Sequence, residues 1–206
     1  MSSHDPVVYV VDDDASVCRS LSLLLKARGF RVETFSGAMA FLLFKHFRVP
    51  SCLLLDVNLP DINGPVLQDT MKVEQLAIPI VFITGHGSIP MSVNAMKQGA
   101  VDFLPKPYTE IDLLNAVDRA ITKSKIQNKL AVEKAHINKR IKTLSPKELE
   151  VFRLVVKGML NKQIASKRGT ALQTIKVHRS RVMHKMQAKT VTELINFAQK
   201  AGVDFS

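Results

Sequence analysis

Apolar residues along this chain fall into two alternating patterns. Short, strongly apolar runs cover residues 7–11, 52–55, 78–83 and 101–104, with a more mixed run at 31–35. Their length and β-branched content predict strands. Between them lie stretches with helical spacing at 16–28, 38–47, 64–74, 88–98 and 110–122. Gly29 and Gly99 follow two of these, as a glycine closing a helix does. Strands apolar on both faces and alternating with helices predict a parallel sheet covered on both sides, a doubly wound, flavodoxin-like α/β fold.

The pattern changes after residue 121. From there to Leu144 the chain is charged and lacks Gly and Pro. Ile126, Leu130, Ile137, Ile141 and Leu144 fall on one rough stripe, interrupted by Glu133. Two readings stand: a solvated helical linker, or a coiled-coil-like dimer seam. Ser145-Pro146-Lys147-Glu148 then reads as a capping box with proline at the first helical position. Helices follow to about 157, at 161–167, at 172–186 and at 191–200, a small all-helical domain. The expected division is 1–121, a helical linker at 122–143, and 144–206.

Charge supports that division. Residues 1–121 hold 10 Lys and Arg against 13 Asp and Glu, a balance of −3, whereas residues 122–206 hold 19 against 5, a balance of +14. Only the second half carries the charge to bind nucleic acid. Cys18 and Cys52 lie in apolar-periodic segments, too few and too far apart for a disulfide scaffold or a zinc site. No apolar run reaches membrane-spanning length, and no basic-then-apolar leader precedes the first strand, so a cytoplasmic protein with no membrane partner is expected.

Chemistry in an open parallel sheet gathers at the carboxyl ends of its strands. Here those ends carry Asp12-Asp13-Asp14, Asp56, Thr84-Gly85 and Pro105-Lys106-Pro107. Converging carboxylates repel unless a cation sits among them, and hard oxygen ligands suit Mg²⁺. A metal and a lysine together suit a phosphoryl dianion, with a neighbouring carboxylate as its acceptor. Asp14 reads instead as a helix N-cap and Asp61 as part of a structural turn. His86 follows a glycine, either as a modulator of water access or as a solvated loop residue.

The segments VVDDD, LLLDVNLPDINGP, FITGHGSIPMSVNAMKQGAVDFLPKP and LSPKELEVF, NKQIA and TIKVHRSRVMHKM resemble two-component response regulators of the FixJ/NarL type with a LuxR-type output domain. The resemblance covers essentially the whole chain. It implies that Asp56 is the phosphoacceptor, charged by a sensor histidine kinase. It implies Mg²⁺ held by Asp12, Asp13, Asp56 and the backbone carbonyl of Asn58, with Asp12 acting mainly through water. Thr84 and Lys106 are then the residues that meet the phosphoryl group, and Phe103 the switch aromatic coupled to Thr84. The Lys106–Pro107 peptide is expected to be cis. The Asn58 amide is expected to help orient water for dephosphorylation.

The same resemblance makes the basic domain a helix-turn-helix reader of promoter DNA. Lys176, Val177 and Ser180 are expected at base edges, and Arg179 and Arg181 at bases or phosphates. Asn161, Lys162, Thr174, Lys185 and Lys189 are expected to position phosphates. Ile164, Ala165, Ile175, Val182 and Met186 are read as core. The phosphorylated protein is expected to be a homodimer through a surface that includes Ile89, Val93, Met96 and Lys97, and RNA polymerase is an expected partner. The residues argue against three alternatives. A receiver that senses a ligand or partner without phosphorylation would not need the full acidic set. An aspartyl phosphohydrolase wants a second acid where Asn58 stands. A dinucleotide-binding domain wants G-x-G-x-x-G after the first strand. The expectation is a regulator and not an enzyme.

Overall fold

The computed structural model describes residues 5–85 and 89–203. They divide into two compact units, Met1–Lys129 and Leu130–Ser206. The first contains β1 (Val7–Val11), α1 (Ala15–Ala27), β2 (Arg31–Phe35), α2 (Ala38–Leu43), β3 (Ser51–Asp56), α3 (Gly64–Val73), β4 (Ile80–Thr84), α4 (Ile89–Lys97) and β5 (Asp102–Pro105). One helix, α5 (Glu110–Ile141), runs from it into the second unit, where α6 (Pro146–Val156), α7 (Asn161–Arg168), α8 (Leu172–Met186) and α9 (Val191–Ala201) follow. No helix among the described residues is long and apolar enough to cross a membrane.

The five strands pair in parallel in the order β2-β1-β3-β4-β5. Successive side chains of a strand point to opposite faces, and this sorts the apolar runs into two cores. Val7, Tyr9, Val11, Leu53, Leu55 and Phe82 pack with Phe41, Leu67, Met71 and Ala95 of α2, α3 and α4. Val8, Val10, Cys52, Leu54, Val81 and Ile83 pack with Leu21 and Leu25 of α1 and Leu113, Val117 and Ile121 of α5. The unbroken runs are thus strands buried on both faces, as expected.

One expectation is corrected, and one open reading is narrowed. The helix expected over 38–47 ends at Leu43, and Phe44 is already extended. Phe44 and Phe47 turn inward instead and stack around Tyr9 with ring centroids 6.1 Å and 5.3 Å away. The Tyr9 hydroxyl accepts a hydrogen bond from the Arg48 N–H at 2.7 Å, which gives this buried polar group its partner.

The linker stripe, open between a solvated linker and a dimer seam, is divided between solvent and the core of the second unit. Ile121 is buried in the first unit, and the Ser124 hydroxyl accepts from the Ser51 N–H at 3.0 Å. Ile137, Ile141 and Leu144 pack into the core of the second unit. Ile126 and Leu130 remain 57% and 56% exposed. A seam along the whole stripe is therefore excluded within this fold, because three of its five residues already have an intramolecular partner.

The second unit is all helical. Its capping box forms as expected. The Ser145 hydroxyl accepts from the Glu148 N–H at 3.3 Å, and the Glu148 carboxylate accepts from the Ser145 N–H at 2.8 Å. Gly169 takes the left-handed conformation at the end of α7, which ends that helix before α8 begins. Ile164, Ala165, Ile175, Val182 and Met186 are all buried, as expected.

Candidate functional site

β1 and β3 lie side by side, so their carboxyl ends bring Asp12 and Asp56 to one edge. Both are buried. Lys106, just past β5, reaches between them, its Nζ 3.1 Å from Asp12 Oδ2 and 3.0 Å from Asp56 Oδ1. The Lys106 backbone is fixed as well, because its N–H donates to the Thr84 carbonyl at 2.7 Å. Thr84 is fully buried at the end of β4. The Lys106–Pro107 peptide is cis. Phe103 is half-buried on β5 with its ring centroid 6.1 Å from that of Phe82.

The loops above the strands complete the cradle. Asp56 Oδ2 accepts from the Asn58 N–H at 2.7 Å, which holds the Asn58 backbone over the Asp56 carboxylate. Asp12 Oδ1 accepts from the Asp14 N–H at 2.9 Å. Gly64 starts α3 against the end of β3. A Cβ there would lie 2.9 Å from the Asp56 carbonyl oxygen and 2.9 Å from a Phe82 ring carbon, so only glycine lets the helix approach this closely. Its place in an Asn-Gly-Pro turn just after Asp56 was the signal for this role, which the reading of the sequence missed. Asp13 is exposed beside an open cavity of about 410 Å³ that Asp12, Cys18 and Arg19 also line.

The electrostatics follow from two carboxylates sharing one ammonium. Burial raises the Asp12 carboxyl above its usual value, and the charge of Asp56 adds to the rise, against the lowering by the Asp14 N–H and Lys106. Burial alone would lower the Lys106 ammonium, but its bonds to Asp56 and Asp12 prevail and raise it. The cluster retains an excess negative charge, and all its donors are hard oxygens. Among the described residues no three Asp, Glu, His or Cys side chains are gathered closely enough to hold a metal ion. Mg²⁺ needs only one or two carboxylates and keeps several waters, so this donor set fits it in kind.

The neighbouring acids have structural duties, as expected. Asp14 caps α1 by accepting from the Ser16 N–H at 2.7 Å. Asp61 accepts from the N–H groups of Ala38, Met39 and Ile62, and so caps α2 from a distant loop. Cys52 is buried and Cys18 half-buried, both as free thiols. His86 and the side chain of Ile89 lie outside the described residues. Val93, Met96 and Lys97 of α4 are exposed.

In the second unit, Lys176, Val177, Ser180 and Arg181 are exposed on α8, and Lys162, Thr174 and Lys189 are exposed nearby in the chain. Arg179 donates to Asn161 Oδ1 at 2.6 Å, which ties α8 to the start of α7. Lys185 departs from expectation. Its ammonium turns inward to the buried Glu148 carboxylate at 2.6 Å and to the Thr143 carbonyl at 3.1 Å. The expectation of a phosphate-positioning Lys185 is corrected, since two of its three donors serve the fold. Glu148, read from the sequence only as half of a capping box, is the residue that holds it there.

Residues 8–118 match the response regulator receiver domain, and residues 142–198 match the luxR family of bacterial regulatory proteins. The chain is a response regulator of the FixJ/NarL family. Nodulation protein W of Bradyrhizobium diazoefficiens is 41% identical over 202 residues, 98% of this chain and 89% of that protein. The transcriptional regulatory protein FixJ of the same organism is 39% identical over 196 residues, 95% of this chain and 96% of that protein. The solved structure of the response regulator StyR covers 95% of this chain and 99% of that one, at 39% identity and a TM-score of 0.80. The response regulator regulates transcription through a LuxR-type DNA-binding output domain, and its family implies a histidine kinase partner. The family's members are transcription factors and not enzymes, and receiver domains generally use Mg²⁺ for phosphorylation.

Proposed function

We propose that Asp56 accepts a phosphoryl group from a sensor histidine kinase, and that this drives dimerisation and sequence-specific binding of the basic domain to promoter DNA. The observation that carries the reading is the pair of bonds from Lys106 to Asp12 and Asp56 at the carboxyl ends of three strands. In this reading the Asp56 carboxylate attacks the phosphorus of the kinase's phosphohistidine and forms an acyl phosphate as the P–N bond breaks and the imidazole leaves. Lys106 pairs with the charge the group brings, and the Thr84 hydroxyl turns to meet it. Asp13, Asp56 and the Asn58 carbonyl would hold Mg²⁺, with Asp12 acting mainly through water, and the ion would supply charge neutralisation at the phosphoryl oxygens when bound. Phe103 moves with Thr84 as the switch.

The proposed organisation is a receiver at 1–121, a linker at 122–143 and an output domain at 144–206. Dimerisation uses the α4 surface that includes Val93, Met96 and Lys97. Lys176, Val177 and Ser180 approach base edges, and Arg179 and Arg181 reach bases or phosphates. Asn161, Lys162, Thr174 and Lys189 position phosphates. The promoter complex meets RNA polymerase, and the protein works in the cytoplasm.

DNA selection with and without acetyl phosphate, on wild type and Asp56→Ala, tests the switch. Enriched binding is expected only for phosphorylated wild type. Equal binding in all four cases overturns it.

A further inference from the structure

The C-terminal end of a DNA-reading helix needs a partner, because its last carbonyls lack intrahelical donors and carry the negative end of the helix dipole. In α8 the last residue is Met186. Gln187 follows in the left-handed conformation, with its N–H and that of Ala188 bonded back to His184 and Met183. The Met186 carbonyl accepts instead from Arg140 NH1, at 3.2 Å. Arg140 belongs to the last turn of α5 and lies outside residues 142–198 that match the luxR family. Its guanidinium also sits 5.7 Å from the centre of the Phe197 ring of α9. One side chain thus bridges α5, α8 and α9.

The turn that carries Arg140 is itself fixed. Ile137, one turn earlier, is 2% exposed in the core of this unit. Lys200 of α9 bonds Glu133 at 2.6 Å. The Thr143 hydroxyl donates to the Arg140 carbonyl at 2.7 Å, and the Thr143 carbonyl accepts from Lys185 of α8 at 3.1 Å. The end of α5 is therefore bonded to the end of α8 at two points, and both sit at the pole opposite the first turns of that helix.

We propose that Arg140 is a positioning residue for DNA recognition, and that the final turns of α5, from about Glu133, are a functional helix of the output domain. Arg140 holds the angle at which α8 leaves the domain, so that the side chains at 176, 177 and 180 meet base edges in register. It acts through α8 and touches no DNA itself. The proposal rests on the reading of α8 as the DNA-reading helix.

The full-length chain phosphorylated with acetyl phosphate tests it, with a duplex recovered by selection on phosphorylated wild type and a random-sequence duplex of the same length. Loss of one charge-assisted hydrogen bond is worth roughly tenfold in an equilibrium. Arg140→Gln is expected to weaken binding to the selected duplex about tenfold and to leave the random duplex and the salt slope of binding unchanged. Amide exchange at Gln187 and Ala188 is expected to quicken in the same variant. Arg140→Lys, which keeps the charge and a donor, is expected to recover part of the discrimination.

A parallel loss on both duplexes, with the log–log salt slope reduced by about 0.9, would make Arg140 a phosphate contact and overturn the proposal. Unchanged discrimination in Arg140→Gln would overturn it as well. Failure of the underlying reading looks different, because wild type itself would then not distinguish the two duplexes.

Discussion

Asp12 and Glu148 are built from the same parts and end with opposite properties. Each side chain is nearly inaccessible, 4% and 5% exposed. Each accepts one backbone N–H and one lysine ammonium. Yet the Asp12 carboxyl is raised above its ordinary value, while that of Glu148 is lowered to about 2. For Asp12, burial is the largest cause, its lysine is shared with Asp56, and the Asp56 charge pushes the same way. For Glu148 the largest cause is the bond from Lys185, at 2.6 Å against 3.1 Å for Lys106 to Asp12. The comparison separates a site from a strut. The receiver keeps an excess of negative charge that a cation and a phosphoryl group can complete, whereas the output domain has neutralised its buried acid internally.

The largest expected effect follows from removing the shared lysine. Lys106→Met should slow phosphorylation of Asp56 by acetyl phosphate on the order of a hundredfold, the usual loss when one charge-stabilising donor leaves a reacting centre. Lys185→Met, the same change at the other pair, should leave that rate unaltered. Phosphoryl incorporation measured on both variants decides it. A wild-type rate in Lys106→Met breaks the contrast.

Next in size is the strut. Glu148→Gln should destabilise the output domain by about 2 kcal/mol, low in the range for charged hydrogen bonds because Lys185 is partly exposed and screened. The folded value lies below the ordinary one, so the stabilisation is present above pH 4.5 and is lost as pH falls through about 2. Denaturant melts of wild type and variant should therefore converge at the acid end of that window. A constant gap down to pH 2 would remove the carboxylate from the account.

Asp12 should show the reverse sign and a smaller effect. Its folded value is raised, so the fold favours the protonated form, and stability is lost as pH rises through the raised value. Asp12→Asn removes that loss and should stabilise the receiver at pH 7, because Lys106 keeps Asp56 as its partner. The same variant should phosphorylate poorly. A variant less stable than wild type at pH 7 would mean that the bond to Lys106 outweighs the burial of charge.

The fold was largely legible from sequence because its strands are apolar on both faces, a pattern few other elements produce. The acidic edge was legible because topology alone brings the carboxyl ends of β1, β3 and β4 together. Three features were hidden for one reason: periodicity reports that a face is buried without naming what buries it. Phe44 and Phe47 continued the apolar pattern of α2 but serve Tyr9. The stripe through Ile137 and Leu144 looked like half of an interface, and the output core fills it. Lys185 looked like one more cation on a basic helix, and only its distance to Glu148 tells it apart from Lys162.

That last distinction predicts the smallest effect. Each lysine that neutralises a DNA phosphate contributes about 0.9 to the slope of log affinity against log salt. Lys162 is exposed at the start of α7, so Lys162→Gln should lower the slope by about that amount. Lys185 carries the same formal charge, but its ammonium is bonded to Glu148 and the Thr143 carbonyl. No counterion is released there on binding, so a conservative Lys185→Gln should keep the wild-type slope even where stability falls. Salt titrations of duplex binding at constant pH compare the two directly. Equal slopes in both variants would show that Lys185 leaves Glu148 when DNA arrives, and the strut would then belong to the binding surface after all.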